Sequence, residues 1–413
     1  MTDKTQALPL EGYRVIDYSH FLAGPHLSRC LVALGAEVIK VERPTSGDSG
    51  RDHPYFKDGQ SGYFLQQNMG KQGICVNVKD PRGLEMLQRL VDTADVFVEN
   101  YRPGALDRLG LGYNALAERN PGLVYCSISA YGHSGPDAEQ PGFGLIAEAK
   151  SGAMSYVGTA GEAPPLFRLA IADMYTGTHG VGAVCAALLG RVKSGVGQHI
   201  DLALYDCMLS MQEFAVQCYT MSDGSELPEQ SGHDLPQATL YGVFPGADGY
   251  LVITAQVTDI WIRLAGLIGG DALAVDTRFH SQEGRNQHRE EILQLVSRWT
   301  RAQPSVAACL RALDSAAVPC AKVQTIDEVI ADPQIKARDM MIEQEHPVLG
   351  TIRMPNLPFH FSGYDTTIRS IAPFLGQHNR DIAASLGYDD EAIVALEKEG
   401  VLYAEDAVEQ YCR

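Results

Sequence analysis

Basic residues are scarce in this sequence: 33 lysines and arginines stand against 51 aspartates and glutamates, a formal net charge of −18. A field of that sign repels polyanions, so neither nucleic acid nor an anionic membrane is expected as a principal partner. Long apolar runs are also missing. No segment approaches 18 uninterrupted apolar residues, and no stretch of signal-peptide character opens the chain, so it is expected to be neither exported nor membrane-spanning. The nine cysteines contain no C-x-x-C and no Cys/His set at zinc-ligand spacing, which leaves no candidate metal site. Their odd number and apolar neighbours suit reduced, buried thiols in the cytoplasm. Neither G-x-G-x-x-G nor G-x-x-x-x-G-K-[ST] occurs, which disfavours NAD and ATP.

What is present reads as alternating strands and helices. GYRVIDYS (12–19) and EVIKVERP (37–44) are β-rich and flank AGPHLSRCLVALGA (23–36), which has helical periodicity. The pattern repeats in GICVNVKD (73–80), in a helix opening on Pro81, in ADVFVENYRPGAL (94–106) and in LVYCSISAYG (123–132). Strands that are apolar runs, alternating with helices, predict a parallel sheet covered on both faces. Such sheets bind ligands beyond the carboxyl ends of their strands, so the loops after Ser19, Val41, Val98 and Ile128 are the ones to examine. Further on, IADMYTGTHGVGAVCAALLGR (171–191) reads as a buried strand end, an acid and a long helix rich in small residues. Gly177, Gly180 and Gly182 would there admit close approach of another backbone or a ligand.

A polar, turn-rich stretch at 223–240 predicts a linker. We therefore expect residues 1–222 to form the first part of a large domain, 241–325 a smaller α+β domain, and 326–413 a segment returning to the large one. Two short strands are expected around EQEHPVLGTIRMPN (343–356), and a closing helix over 389–399.

Six pieces, in order, resemble the class III CoA-transferases, the family of formyl-CoA and carnitine CoA-transferases and, more distantly, the α-methylacyl-CoA racemases. They are L-x-G-x-R-V-I-D with A-G-P (10–25), G-A-x-V-I-K-V-E-R (35–43), V-E-N-Y-R-P-G-A-L-D-R-L-G (98–110), I-A-D-M-x-x-G (171–177), V-P-C-A-x-V with A-D-P-Q (318–334), and E-H-P-V-L-G with L-G-Q-H (345–378). The resemblance implies an α/β fold with a Rossmann-like large domain, a smaller α+β domain, and a homodimer of interlocked rings. It implies transfer of coenzyme A from an acyl-CoA donor to a free carboxylic acid, with CoA thioesters as substrates and no tightly bound cofactor.

The resemblance makes Asp173 the nucleophile. A carboxylate is ionised at neutral pH and needs no general base, and a helix start beneath it would favour the charge. From local sequence alone, Asp173 reads equally well as a helix N-cap. For the CoA phosphates the resemblance points to Arg43, Lys79 and Arg108; for the pantetheine arm, to Leu22 and Ala23; and for a further CoA-contacting turn, to Asn100, Tyr101 and Arg102, with Tyr101 either stacking on adenine or packing in the core.

Three departures from the family's pattern refine this. A racemase needs a second proton carrier where this chain has Phe143, although His133 and His179 are near in sequence. The run of four glycines of the oxalate enzymes is replaced by Gly232-His233-Asp234-Leu235-Pro236-Gln237-Ala238, which favours a larger acid; the habit of the family that the chain resembles then implies succinyl-CoA with a C4 or C5 dicarboxylate, or a related sulfur-containing or hydroxy acid, and His233 is either an aid to a second carboxylate or an exposed loop residue. Glu148 stands where many relatives carry Gln, and would raise the pKa of the nucleophile if it points inward. A non-catalytic CoA-binding protein is the remaining alternative.

Overall fold

The computed structural model describes residues 7–235 and 238–412, so Pro236 and Gln237 of the replaced glycine segment lie outside the described residues. The chain divides into two compact units: Met1–Ser151 with Phe167–Glu213 and Pro333–Arg413, and Gly152–Leu166 with Phe214–Asp332.

The first unit is built on six parallel strands: β1 (Arg14–Tyr18), β2 (Glu37–Glu42), β3 (Gln72–Cys75), β4 (Val96–Glu99), β5 (Val124–Ser129) and β6 (His199–Ala203). They lie in the order β3-β2-β1-β4-β5-β6, with Ile16 paired to Ile39 on one side and to Phe97 on the other. That order reverses direction between β1 and β4, the arrangement of a doubly wound sheet whose ligand crevice opens at the switch point. Strands β1 to β5 are buried on both faces, every residue of β4 and β5 included, while β6 at the sheet edge leaves Asp201 exposed.

Helices α1 (Ala23–Ala33), α2 (Gly62–Asn68), α3 (Pro81–Asp92), α4 (Tyr113–Arg119), α5 (Gly144–Lys150), α6 (Ile171–Ser194) and α7 (Leu204–Ser210) surround the sheet. α3 starts where its sequence says it should, with Asp80 accepting the Arg82 N–H and Pro81 in the first turn. α1 and α6 cross closely. A Cβ on Gly177 would lie 2.6 Å from the Ala23 carbonyl oxygen, and one on Gly180 would lie 2.2 Å from Leu27 Cδ1, so both positions need glycine for space. Gly182 faces open space, and close approach does not explain it. The expected strand end before Asp173 is absent: residues 163–170 have no strand pairing and the helix starts directly at Ile171.

The C-terminal segment seals the free edge of β3. Asn379 Oδ1 accepts the Cys75 N–H at 2.8 Å, the Tyr403 N–H donates to the Cys75 carbonyl, and Val76 bridges to Leu402. Ile382, Leu386, Ile393 and Leu396 join Ile39, Ile74, Leu87 and Phe97 in one core. An exposed edge of a parallel sheet is thereby covered. The expected short strands appear as the hairpin Met341–His346 with Gly350–Pro355, and the closing helix spans Asp390–Lys398.

In the second unit, β7 (Tyr241–Pro245), β8 (Tyr250–Thr254) and β9 (Cys320–Lys322) form an antiparallel sheet with β8 central. Helices pack Trp261, Leu264, Ile292, Val296 and Leu313 against it, which is the α+β content expected there.

Candidate active site

Asp173 is the third residue of α6. The N-cap is Ala170, with no side-chain capping bond, so the reading of Asp173 as a cap falls away. Its half-buried carboxylate rests directly on the backbone of Gly144, the first residue of α5: a Cβ there would lie 2.0 Å from Asp173 Oδ2. One turn further along α5, Glu148 is buried and points inward, its Oε1 accepting the Ala172 N–H at 3.3 Å. Burial, and after it the Glu148 carboxylate, push the Asp173 pKa up to about 6. At the shallow end of a helix the dipole contributes less than about 1 kcal/mol, and desolvation with a like-charged neighbour outweighs it. At pH 7 roughly nine-tenths of the side chain is still carboxylate.

Aromatic rings border this spot. Phe143, 64% exposed, meets Phe21 edge-on at 5.9 Å; Phe21 contacts His53, and His53 contacts Tyr63 at 4.4 Å. Burial, then the charges of Asp173 and Asp48, raise the Tyr63 pKa, so its phenol stays protonated. Phe21 adopts a left-handed backbone (φ 62°), which a large side chain takes only when its surroundings impose it. Here the constraint is Asp48, whose Oδ1 accepts the Phe21 N–H at 2.9 Å and the Gly50 N–H at 2.7 Å.

Asp48 belongs to a sealed ion cluster beneath the turn at 19–24. Lys40 pairs with Asp48 at 2.8 Å and donates to the Ser19 carbonyl; Lys71 pairs with Asp17 at 2.9 Å, and Ser19 and Ser28 donate to Asp17. The Lys40 and Asp17 side chains are completely buried. Burial is the largest single influence and opposes ionisation of both carboxylates, but Lys40 and Lys71 with the Ser19 and Ser28 hydrogen bonds together outweigh it at Asp17, and Lys40 with the Gly50 and Phe21 N–H groups together outweigh it at Asp48, so both acids lie below the usual carboxylate range.

The residues expected to hold CoA lie at several separate places in the first unit. Leu22 is the N-cap of α1 and Ala23 its first residue, both buried. Asn100 spends its side chain on His20, accepting the His20 N–H at 2.8 Å and donating to the His20 carbonyl at 2.7 Å. Tyr101 packs on Tyr18 and His20 and, with His20, Arg43 and Ser49, lines a small cleft of about 70 Å³ at the switch point of the sheet, so it is at once a core ring and a cleft wall. Arg102 lies elsewhere, on a cavity of about 160 Å³ with Glu99, Tyr113, His133 and His199. Lys79 and Arg108 are exposed loop charges; Lys79 follows β3, and Arg108 sits in a short 3-10 turn after β4.

Neither histidine weighed as a substitute for Phe143 acts electrostatically on Asp173. His133 packs against His199 and donates its N–H to Asp201, and His179 is exposed against Tyr175. His233 is an exposed turn residue of the second unit. Among the described residues no group of three or more His, Cys, Asp or Glu is placed to hold a metal, and no helix is long and apolar enough to cross a membrane.

Sequence reasoning missed Gly144, Tyr63, Phe21 and the ion cluster. The cluster did leave a signal: Asp17 and Lys40 are charges flanked by apolar residues in the interiors of their strands, and such residues are almost never buried unless paired.

Comparison with known proteins adds to this geometry. The model of CoA-transferase family III matches residues 10–379. A succinate–glutarate CoA-transferase of Agrobacterium fabrum is 34% identical over 389 residues, covering 92% of this chain and 96% of its own. A succinyl-CoA:glutarate CoA-transferase of Mus musculus is also 34% identical, covering 95% and 90%. The crystal structure of a CaiB/BaiF family protein from Brucella suis superposes with a TM-score of 0.82 at 35% identity, covering 92% of this chain and all of that one.

Proposed function

The chain belongs to CoA-transferase family III, and on that premise we propose that it moves coenzyme A from succinyl-CoA to a C4 or C5 dicarboxylic acid, glutarate foremost, through an aspartyl-CoA thioester on Asp173. The observation that carries the reading is the half-buried Asp173 carboxylate seated on bare Gly144 at the start of α6, with a pKa of about 6 that leaves it ionised at neutral pH and with no cation paired to it among the described residues. The choice of acids rests on the similarity to glutarate enzymes.

In this mechanism an Asp173 oxygen attacks the thioester carbonyl, the C–S bond breaks, and a mixed anhydride forms as CoA thiolate leaves. The thiolate then attacks the Asp173 carbonyl and releases the donor acid as its carboxylate. The incoming acid reverses both steps, so no water and no external proton donor is consumed. N–H groups of the first turn of α6 are suited to stabilising the oxyanions. The pantetheine arm runs past Leu22 and Ala23, adenine stacks at Tyr101, and Arg43, Lys79, Arg102 and Arg108 offer charge to the phosphates. Asn100 serves by fixing His20. The chemistry calls for no metal and no tightly bound cofactor.

The working form is a homodimer of interlocked chains. Exposed apolar side chains, among them Leu145, Ile146, Leu189, Val192 and Val196, support it, because surfaces of that kind normally meet another chain. Nine free cysteines support a reducing, cytoplasmic setting. The division into a large domain with a smaller one at 241–325 is part of the same proposal.

Intact-protein mass spectrometry after mixing with succinyl-CoA tests the mechanism. A gain of one CoA, lost with hydroxylamine and absent in Asp173→Ala, is expected. No adduct, accompanied by α-proton exchange into deuterated water, would instead make the enzyme a racemase.

A further inference from the structure

The site holds a second carboxylate that the transfer mechanism does not use. Glu148 is only 3% exposed, lies one helical turn beyond the glycine that bears Asp173, and accepts the N–H of Ala172, the residue immediately before the nucleophile. A buried acid normally comes with a counter-ion, as Asp17 and Asp48 do.

The elements packed around this pair supply none. α1 brings His26, kept neutral by burial and then by the charge of Arg29, and Arg29 itself donates to the Pro355 carbonyl. α2 brings Tyr63, a protonated phenol. α7 brings Tyr205, Asp206 and Cys207; Lys150, the cation on α5, pairs with Asp137 and lies over the rings of Tyr131 and Tyr205. Among the described charged groups, Glu148 is the one that acts on Asp173.

We propose that Glu148 is a positioning residue for the nucleophile, anchoring the start of α6 and, as a second carboxylate without a counter-ion, favouring the uncharged aspartyl-CoA thioester over the free Asp173 carboxylate. The inference rests on the covalent reading above and adds a driving force to it. Acylation converts Asp173–COO⁻ and R–CO–S–CoA into Asp173–CO–S–CoA and R–COO⁻. The negative charge leaves with the departing acid, and the repulsion between the two side chains disappears with it. The same repulsion makes Asp173 more basic, and therefore a better oxygen nucleophile, while leaving it mostly ionised at neutral pH.

Glu148→Gln tests this, because an amide oxygen can still accept the Ala172 N–H while the charge is gone. Two quantities are compared with wild type: the fraction of enzyme carrying CoA at a fixed ratio of succinyl-CoA to succinate, and the acid limb of the kcat/KM profile. We expect the ratio of adduct to free enzyme to fall about tenfold, the equivalent of one pKa unit. The acid limb, near pH 6 in wild type, should move lower by at least about half a unit. A purely structural Glu148 would move neither. Wild type that forms no adduct defeats the covalent reading itself; wild type that does, with adduct ratio and acid limb unchanged in Glu148→Gln, overturns only the role of Glu148. If the variant does not fold, infrared or NMR titration of the Asp173 carboxyl in wild type decides, and ionisation complete below pH 5 overturns the proposal.

Discussion

Two groups of buried carboxylates in the first unit meet opposite fates. Asp17 and Asp48 are sealed from solvent, yet each touches a lysine and accepts further hydrogen bonds, so both lie below the ordinary carboxylate range. Asp173 and Glu148 also leave bulk water, but have each other instead of a cation, and Asp173 rises to about 6. Burial works against ionisation in both places; the partner decides the outcome. The paired cluster spends its charge on shape, holding the turn at Phe21 in a left-handed conformation next to the cleft. The couple at the start of α6 keeps its charge available for the chemistry proposed for Asp173. Within one domain, a buried acid with a counter-ion reads as scaffold, and one without reads as reagent.

The largest test breaks the scaffold side. Lys40→Met strands the Asp48 carboxylate in a dry site, and should destabilise the fold by about 3 to 5 kcal/mol in urea melts. A loss under about 1 kcal/mol would mean that water reaches the cluster. The next breaks the reagent side without touching a charge. Gly144→Ala drives a methyl group into the Asp173 carboxylate, and a displacement of that order should cost about a hundredfold in kcat, with the melting temperature much less affected.

The smallest test separates the two groups by pH. The pKa of Asp173 is higher in the folded chain than in the unfolded one, so the folded state holds its proton more tightly. The penalty for ionising it is absent below pH 4, grows as pH rises, and is complete above about 6. Asp173→Asn should therefore stabilise the inactive protein by about 1 to 3 kcal/mol above pH 6 and not at all near pH 4. Asp17 and Asp48 have the opposite sign: their contribution is present above the unfolded value near 4 and is lost as pH falls through their lower folded values. Equal behaviour of wild type and Asp173→Asn across that range would mean that the two groups do not differ.

Much of the sheet was legible because parallel strands in a covered sheet must be apolar on both faces, and VIDY, EVIKVE and VYCSIS carry that pattern plainly. The start of α3 was legible because Asp-Pro places an acceptor and a fixed φ where a helix begins. The segment before Asp173 misled, since an apolar run too short to show a period reads equally well as a strand end or a first helical turn. Gly144 gave no local sign of its role: its φ is unexceptional, and what forbids a side chain is Asp173, a residue 29 positions away in sequence. Asn100 could be singled out by motif, but nothing local told that its amide would be spent on the backbone of His20.

By itself, then, the sequence determined which segments become strands and helices, that the sheet is parallel, and that an acid stands near the head of a long glycine-rich helix, since all of these follow from short-range periodicity and backbone preference. Tertiary structure alone decided which acids received cations, that Glu148 turns inward onto the start of α6, and that Asp173 sits on a bare backbone. Those outcomes depend on electrostatic fields and van der Waals contacts between residues brought together only by the fold, and such terms change sign with a few ångströms of displacement that no local pattern encodes.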